Sequence, residues 1–132
     1  MLDTDYCVDI IRSKAFRERS LPWIRTHEVG DLGISVITLA ELEYGVRKSS
    51  NQERNKRALD KFILPLEVAE FDNNAAVYYG KIRASLEKNG KPVGSLDMLI
   101  GATAMALGIP LVTNNVKEFK RIRGLEIRQP DV

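Results

Sequence analysis

Three short, apolar, β-rich segments are each followed at once by a helical pattern, and this alternation constrains the fold more than any other feature of the chain. Residues 33–37 lead into a helical pattern over 38–48, residues 66–71 into one over 72–89, and residues 109–113 into one over 115–121. Residues 1–4 form a further strand candidate and residues 125–128 a candidate edge strand. Two parallel neighbours need a crossover connection between them, and a helix is the usual one. The expectation is therefore an α/β fold with a central, mainly parallel β-sheet flanked by helices. Ligands in such folds sit at the carboxyl ends of the strands, so polar residues just beyond strand ends carry most of the functional information.

The helix boundaries are marked in the sequence. Asp72 suits an N-cap, Val77, Tyr78, Tyr79 and Leu86 give an apolar stripe, and Asn89-Gly90 supplies a left-handed stop. A further helix starts near Ser95. From 96 to 107 its charged residue is Asp97 and its other polar side chain is Thr103, so it is apolar nearly all round and belongs at the centre. Gly108 closes it and Pro110 prevents its extension. Residues 50–57 are polar, after which Ala58, Leu59, Phe62 and Ile63 share one amphipathic face; Cys7, Ile10 and Ile11 form the core face of an early helix.

With 132 residues and 44% of them hydrophobic, the chain suits one domain, residues 1–132, whose core needs no disulfide. The uncharged run 98–112 is interrupted by Gly101, Gly108 and Pro110 and falls short of the roughly 20 apolar residues that span a bilayer, so it reads as core and no membrane partner is expected. A single cysteine and the lack of a secretory type of leader ahead of Asp3 point to a reducing cytoplasm. Lys plus Arg outnumber Asp plus Glu by 20 to 18, a net +2 too mild to require a nucleic-acid partner. The distribution says more, because basic residues gather around Arg12 to Arg19, Arg47 to Arg57 and Lys117 to Arg128. If acids converge elsewhere, the remaining surface is basic enough to suit a polyanion.

A carboxylate beside a buried strand or in a buried helix loses several kcal/mol of hydration unless something cationic or hydrogen-bonding meets it. Each of this chain's candidates has a plain explanation on its own. Asp3 can be a solvated terminal residue, Glu41 can close a capping box with Thr38, and Asp97 can favour the dipole of its helix. Taken together, all three lie just past a strand end or in a first helical turn, on what can be one sheet edge. Asn114, Asn115 and Glu118, just after the strand ending at Thr113, add oxygen donors of the same kind. Like charges raise one another's pKa, and the natural counter-charge for such a group is a hard divalent cation, Mg²⁺ or Mn²⁺. The lone His27 and lone Cys7 cannot build a Cys/His zinc site, and no phosphate-cradling glycine loop is present.

Leu2-Asp3-Thr4, Ile37-Thr38-Leu39-Ala40-Glu41-Leu42-Glu43-Tyr44-Gly45, Val93-Gly94-Ser95-Leu96-Asp97 and Leu111-Val112-Thr113-Asn114-Asn115, in this order over essentially the whole chain, resemble the PIN-domain ribonuclease toxins of type II toxin–antitoxin systems, the VapC family. The resemblance implies a PIN fold and a Mg²⁺- or Mn²⁺-dependent endoribonuclease that cuts structured RNA, commonly a tRNA or ribosomal RNA loop, by a metal-activated water. It also implies a VapB-type antitoxin as inhibitor, a homodimer and toxin–antitoxin hetero-oligomer, and operator DNA bound only through the antitoxin. Asp3, Glu41 and Asp97 resemble the family's metal-binding acids and Glu118 its additional downstream acid, with Thr4, Ser95, Thr113 and Asn115 as hydrogen-bonding neighbours. Asp5 stands where the family often has asparagine.

Two rival readings share some of these residues. Asp3-Thr4-Asp5-Tyr6-Cys7-Val8 resembles the opening motif of haloacid-dehalogenase-type phosphatases, but no full apolar strand precedes it and no paired acids follow late in the chain. The other rival is a non-catalytic PIN-like binding module whose acids are structural.

Overall fold

The computed structural model describes residues 1–130; Asp131 and Val132, the last two residues of the expected domain, lie outside the described residues. In chain order the elements are α1 (Thr4–Arg12), α2 (Lys14–Ile24), β1 (Gly33–Ser35), α3 (Val36–Arg47), α4 (Gln52–Ile63), β2 (Glu67–Ala69), α5 (Asn73–Lys88), α6 (Ser95–Leu107), β3 (Leu111–Val112), α7 (Val116–Phe119) and β4 (Ile127–Arg128). β1 pairs in parallel with β2, Ile34 opposite Val68, and β3 pairs in parallel with β4, Leu111 opposite Ile127. Leu2 joins the two pairs through parallel bridges to Ile34 and to Val112. The order across the sheet is thus β2, β1, Leu2, β3, β4, all parallel.

The candidate strand over residues 1–4 narrows to that one bridging residue, because Asp3 already caps α1 and Thr4 is helical. Main-chain bonds nonetheless seat it from both sides: Leu2 N donates to Gly33 O at 2.8 Å, Asp3 N to Val112 O at 3.0 Å, and Val112 N to Met1 O at 2.7 Å. Alternation then sorts the core. Side chains one residue apart on a strand point to opposite faces. Met1 and Leu111 accordingly join Ile82, Leu86, Met98, Ile100, Phe119 and Ile122 under α5, α6 and α7. Leu2, Ile34 and Val112 join Tyr6, Cys7, Ile10, Phe16, Leu42 and Leu59 under α1 to α4.

Two boundaries differ from the sequence expectation for a local reason. β1 ends at Ser35, whose side chain accepts the Thr38 amide as the N-cap of α3, so Val36 and Ile37 are helical although β-branched. The Thr38–Glu41 capping box therefore does not form; Thr38 is already inside the helix and Glu41 lies beyond the first turn. The helix α2 lacks a clean apolar stripe and carries Pro22 near its end, which hides it from periodicity. It is fixed by aromatic packing: Tyr6 meets Phe16 edge to face with centroids 5.2 Å apart, and Trp23 at 6.4 Å. By contrast α5 keeps its Asp72 cap, and α6 runs from Ser95 to a left-handed Gly108.

Central placement of α6 leaves no room at Gly101, where an added Cβ would stand 2.8 Å from Ile122 Cδ1. Gly101→Val is expected to lower stability by about 1 to 3 kcal/mol through overpacking. Gly80, on the exposed side of α5, has nothing within 4 Å of such a Cβ. Gly80→Ala is expected to raise stability by roughly 0.5 to 1 kcal/mol through helix propensity. Urea unfolding of the two variants checks both signs.

Candidate metal centre

Asp3 follows Leu2 directly, at the carboxyl edge of the sheet, and is 1% exposed. Its Oδ1 accepts the Tyr6 amide at 2.8 Å, and its Oδ2 accepts the hydroxyl of Thr113, which follows β3, at 2.5 Å. Thr113 is itself fixed, since its Oγ1 accepts the Asn115 amide at 2.9 Å. Glu41 on α3 is half-buried and accepts the Thr4 hydroxyl at 2.7 Å. Asp97 occupies the first turn of α6. Glu118 on α7 accepts the Gly94 amide at 2.7 Å and the Asn115 side-chain amide at 2.8 Å. Because Gly94 precedes α6, that pairing brings Glu118 to Asp97: a Cβ on Gly94 would lie 3.5 Å from Asp97 Oδ2 and 3.6 Å from Glu118 Oε1.

The electrostatics follow from this convergence. Burial, then the charges of Glu118, Asp5, Glu41 and Asp3, push the Asp97 carboxyl up to about 7. Burial also pushes Asp3 up to about 6, against the lowering effect of its Thr113 and Tyr6 hydrogen bonds. Glu118 moves the other way, held below the usual carboxylate range first by the Gly94 amide. The Asp97–Glu118 pair therefore shares its protons unequally: Glu118 has donors to stabilise its charge, and Asp97 takes the proton. Asp5, exposed on the first turn of α1, is raised by burial of part of its side chain and by Asp9 and Glu118.

Among the described residues none of Asp3, Asp5, Glu41, Asp97 and Glu118 belongs to an ion pair. This is a set of oxygen donors with surplus negative charge, and the chemistry fits a hard divalent cation. Among the described residues, no three acid, histidine or cysteine side chains form a closed group able to hold an ion as they stand. Mutual repulsion is a sufficient reason for carboxylates to stand apart. A cation such as Mg²⁺ also keeps several waters and needs only one or two carboxylates directly.

Of the hydrogen-bonding neighbours expected from sequence, Thr4, Thr113 and Asn115 each donate to one of the acids. Among the described residues Ser95 makes no such bond, and Asn114 reaches Asp9 instead, at 3.4 Å. Sequence reasoning gave Ser35 no role and Thr38 only that of a cap; both are fully buried, Thr38 against Thr4 and Ser35 against Thr38. Their signal was a serine ending a strand three residues before a threonine, the N-cap spacing displaced from where the capping box was placed. Cys7 is buried with its thiol pushed up by burial, so it is no nucleophile, and His27 packs on Trp23 with centroids 4.8 Å apart.

Residues 1–125 match the PIN domain family. The chain is 42% identical to the tRNA(fMet)-specific endonuclease VapC of Salmonella typhimurium over 96% of its own length and 94% of that protein. It is 41% identical to Ribonuclease VapC2 of Rickettsia felis, covering 99% of this chain and 97% of the relative. The chain belongs to the VapC family of PIN-domain ribonucleases. The solved structure of VapBC2 from Rickettsia felis bound to a DNA fragment from their promoter superposes with a TM-score of 0.86 at 40% identity, covering 97% of this chain and 96% of that one. In a VapC-family PIN fold, Asp3 caps α1 directly after a single bridging residue and Thr4 and Asp5 open the helix, and the phosphatase reading of the same motif falls.

The raised carboxyls of this VapC-family chain make its metal-free fold sensitive to pH. Asp97 binds its proton more tightly folded than unfolded, so between 3.8 and about 7 the folded chain holds the extra proton and stability falls as pH rises through that window. Asp3 adds the same trend up to about 6. In EDTA, the melting temperature is expected to drop from pH 5 to pH 8, and Asp97→Asn to remove much of the drop. An unchanged slope in that variant counts against the assignment.

Proposed function

We propose that this chain is the toxin of a VapBC-type pair, a Mg²⁺- or Mn²⁺-dependent endoribonuclease of the cytoplasm that cuts a tRNA and is silenced by a VapB-type antitoxin. The observation that carries the reading is the convergence of Asp3, Glu41, Asp97 and Glu118 at one sheet edge, with no ion pair to any of them among the described residues. A tRNA is favoured over ribosomal RNA because the Salmonella typhimurium relative, 42% identical, is named for a tRNA. Metal dependence is general in this family of nucleases.

Asp3, Glu41 and Asp97 would hold the cation, which when bound would supply Lewis-acid polarisation of the phosphate and a more acidic water. The chain's own residues do the placing. Thr113 and the Tyr6 amide fix both oxygens of Asp3, so its orientation does not depend on the ion. Glu118, locked by Gly94 and Asn115, keeps negative charge beside Asp97 and raises its demand for a cation. No protein nucleophile is required, in keeping with a buried, inert Cys7.

The antitoxin has a physical place to act. A cavity of about 510 Å³ lies between α1, α3 and α4, with a floor of Val8, Ile11, Leu42, Val46 and Leu59, and Glu41 on its wall. Arg12, Arg17 and Arg54 also line it. An amphipathic segment with apolar anchors and flanking acids suits that floor and those arginines, and a segment seated there stands beside the metal site.

Expressed without an antitoxin, the native chain is expected to arrest bacterial growth, and Asp3→Asn or Asp97→Asn to relieve the arrest. Equal toxicity of native and variant chains rejects the nuclease reading, and lack of toxicity in the native chain favours a binding module. Sequencing of RNA ends after brief expression identifies the target, with new 5′ ends confined to one tRNA class as the expected result.

A further inference from the structure

Glu41 lies beyond the first turn of α3, where no helix cap holds it and, among the described residues, no ion pair does either. A run of hydroxyls does. Thr4 Oγ1 lies 2.7 Å from Glu41 Oε1 and 3.1 Å from Thr38 Oγ1. Thr38 Oγ1 lies 3.4 Å from Ser35 Oγ, which in turn accepts the Thr38 amide at 3.0 Å. Ser35 and Thr38 are 0% exposed, so water does not compete for the contacts between those two, whereas Thr4 and Glu41 are half-buried.

Proton counting gives the run a direction. A hydroxyl has one proton to donate and two lone pairs, while an ionised carboxylate only accepts. The proton of Thr4 goes to Glu41, the stronger and nearer acceptor. The contact between Thr4 and Thr38 is then made by the proton of Thr38, and the contact between Thr38 and Ser35 by the proton of Ser35. Starting from the Thr38 amide, every donation points toward Glu41 Oε1, and hydrogen bonds aligned in series polarise and strengthen one another. Capping alone explains why Ser35 accepts the Thr38 amide. It does not explain why a second buried hydroxyl faces Thr4.

We propose that Ser35 and Thr38 are positioning residues of the nuclease centre, acting through Thr4 to hold one oxygen of Glu41 so that the other is left for the cation. The proposal rests on the reading of Glu41 as a metal-binding acid. It links the end of β1, the start of α1 and the second turn of α3 in one relay. Neither residue touches RNA or metal.

The test measures Mn²⁺ binding to the folded, metal-free chain by electron paramagnetic resonance, alongside RNA cleavage. Thr38→Val, which keeps the shape and removes the hydroxyl, is expected to weaken Mn²⁺ binding about tenfold, the lower end of what the loss of a ligand's orienting partner costs. It should lower kcat with KM for RNA unchanged, and Thr38→Ser should restore both. Thr4→Val should give the same loss, and the double variant Thr4→Val/Thr38→Val no further loss, because a broken relay cannot be broken again. Native Mn²⁺ affinity in Thr38→Val, or losses that multiply in the double variant, overturns the relay. If Thr38→Val fails to fold, Thr4→Val carries the comparison with Thr38→Ser, and native affinity in Thr4→Val overturns it equally. Glu41→Gln separates the two levels. Weakened Mn²⁺ binding there with native binding in Thr38→Val defeats the relay alone, whereas native binding in Glu41→Gln defeats the metal reading of Glu41 beneath it.

Discussion

Leu2 is paired on both sides, with Ile34 and with Val112, and the rest of the molecule depends on that double pairing. Without it, β1–β2 and β3–β4 are separate two-stranded ribbons, a form that is marginal in water. With it, five parallel segments make one sheet, and the two helical layers acquire a common floor. The same pairing decides the site. Asp3 is the next residue, so the main-chain bonds that seat Leu2 also deliver a carboxylate to the sheet's carboxyl edge, within reach of Thr113 beyond β3.

That edge concentrates like charge, which works against folding. Asp97 reaches about 7 and Asp3 about 6 because burial and neighbouring acids disfavour their ionised forms. The surroundings offset part of the repulsion with neutral donors: Thr113 and the Tyr6 amide for Asp3, Thr4 for Glu41, Gly94 and Asn115 for Glu118. Neutral donors fix direction without neutralising the charge, so the demand for a cation survives folding. A lysine or arginine in their place would stabilise the apo fold and remove the reason to bind a metal.

Much of the fold was legible because its signals are local. The Asp72 cap and the Asn89-Gly90 stop bound α5 through side-chain chemistry acting within a few residues, and Gly108 ends α6 in a left-handed turn any reader of sequence can anticipate. α2 was not legible, because its packing on Tyr6 is a tertiary contact and Pro22 argues locally against a helix. The Thr38–Glu41 box failed for the converse reason. Its pattern is genuine, but Ser35, three residues earlier, met the Thr38 amide first. Asp3, Glu41, Asp97 and Glu118 could each be named from type and position, while Ser35 and Thr38 could not, since nothing in their own neighbourhood in sequence points to Thr4.

The sequence by itself determined the parallel α/β plan, the central place of α6, and which acids were candidates for one edge of the sheet. Those properties follow from periodicity, caps and residue type, each an interaction within about one helical turn. Tertiary structure alone decided that Gly94 carries Glu118 to Asp97, that Asp97 and not Glu118 takes the shared proton, and that a buried line of hydroxyls ends on Glu41. Burial and charge coupling act through space between segments far apart along the chain, so they have no value until the sheet has brought those segments together.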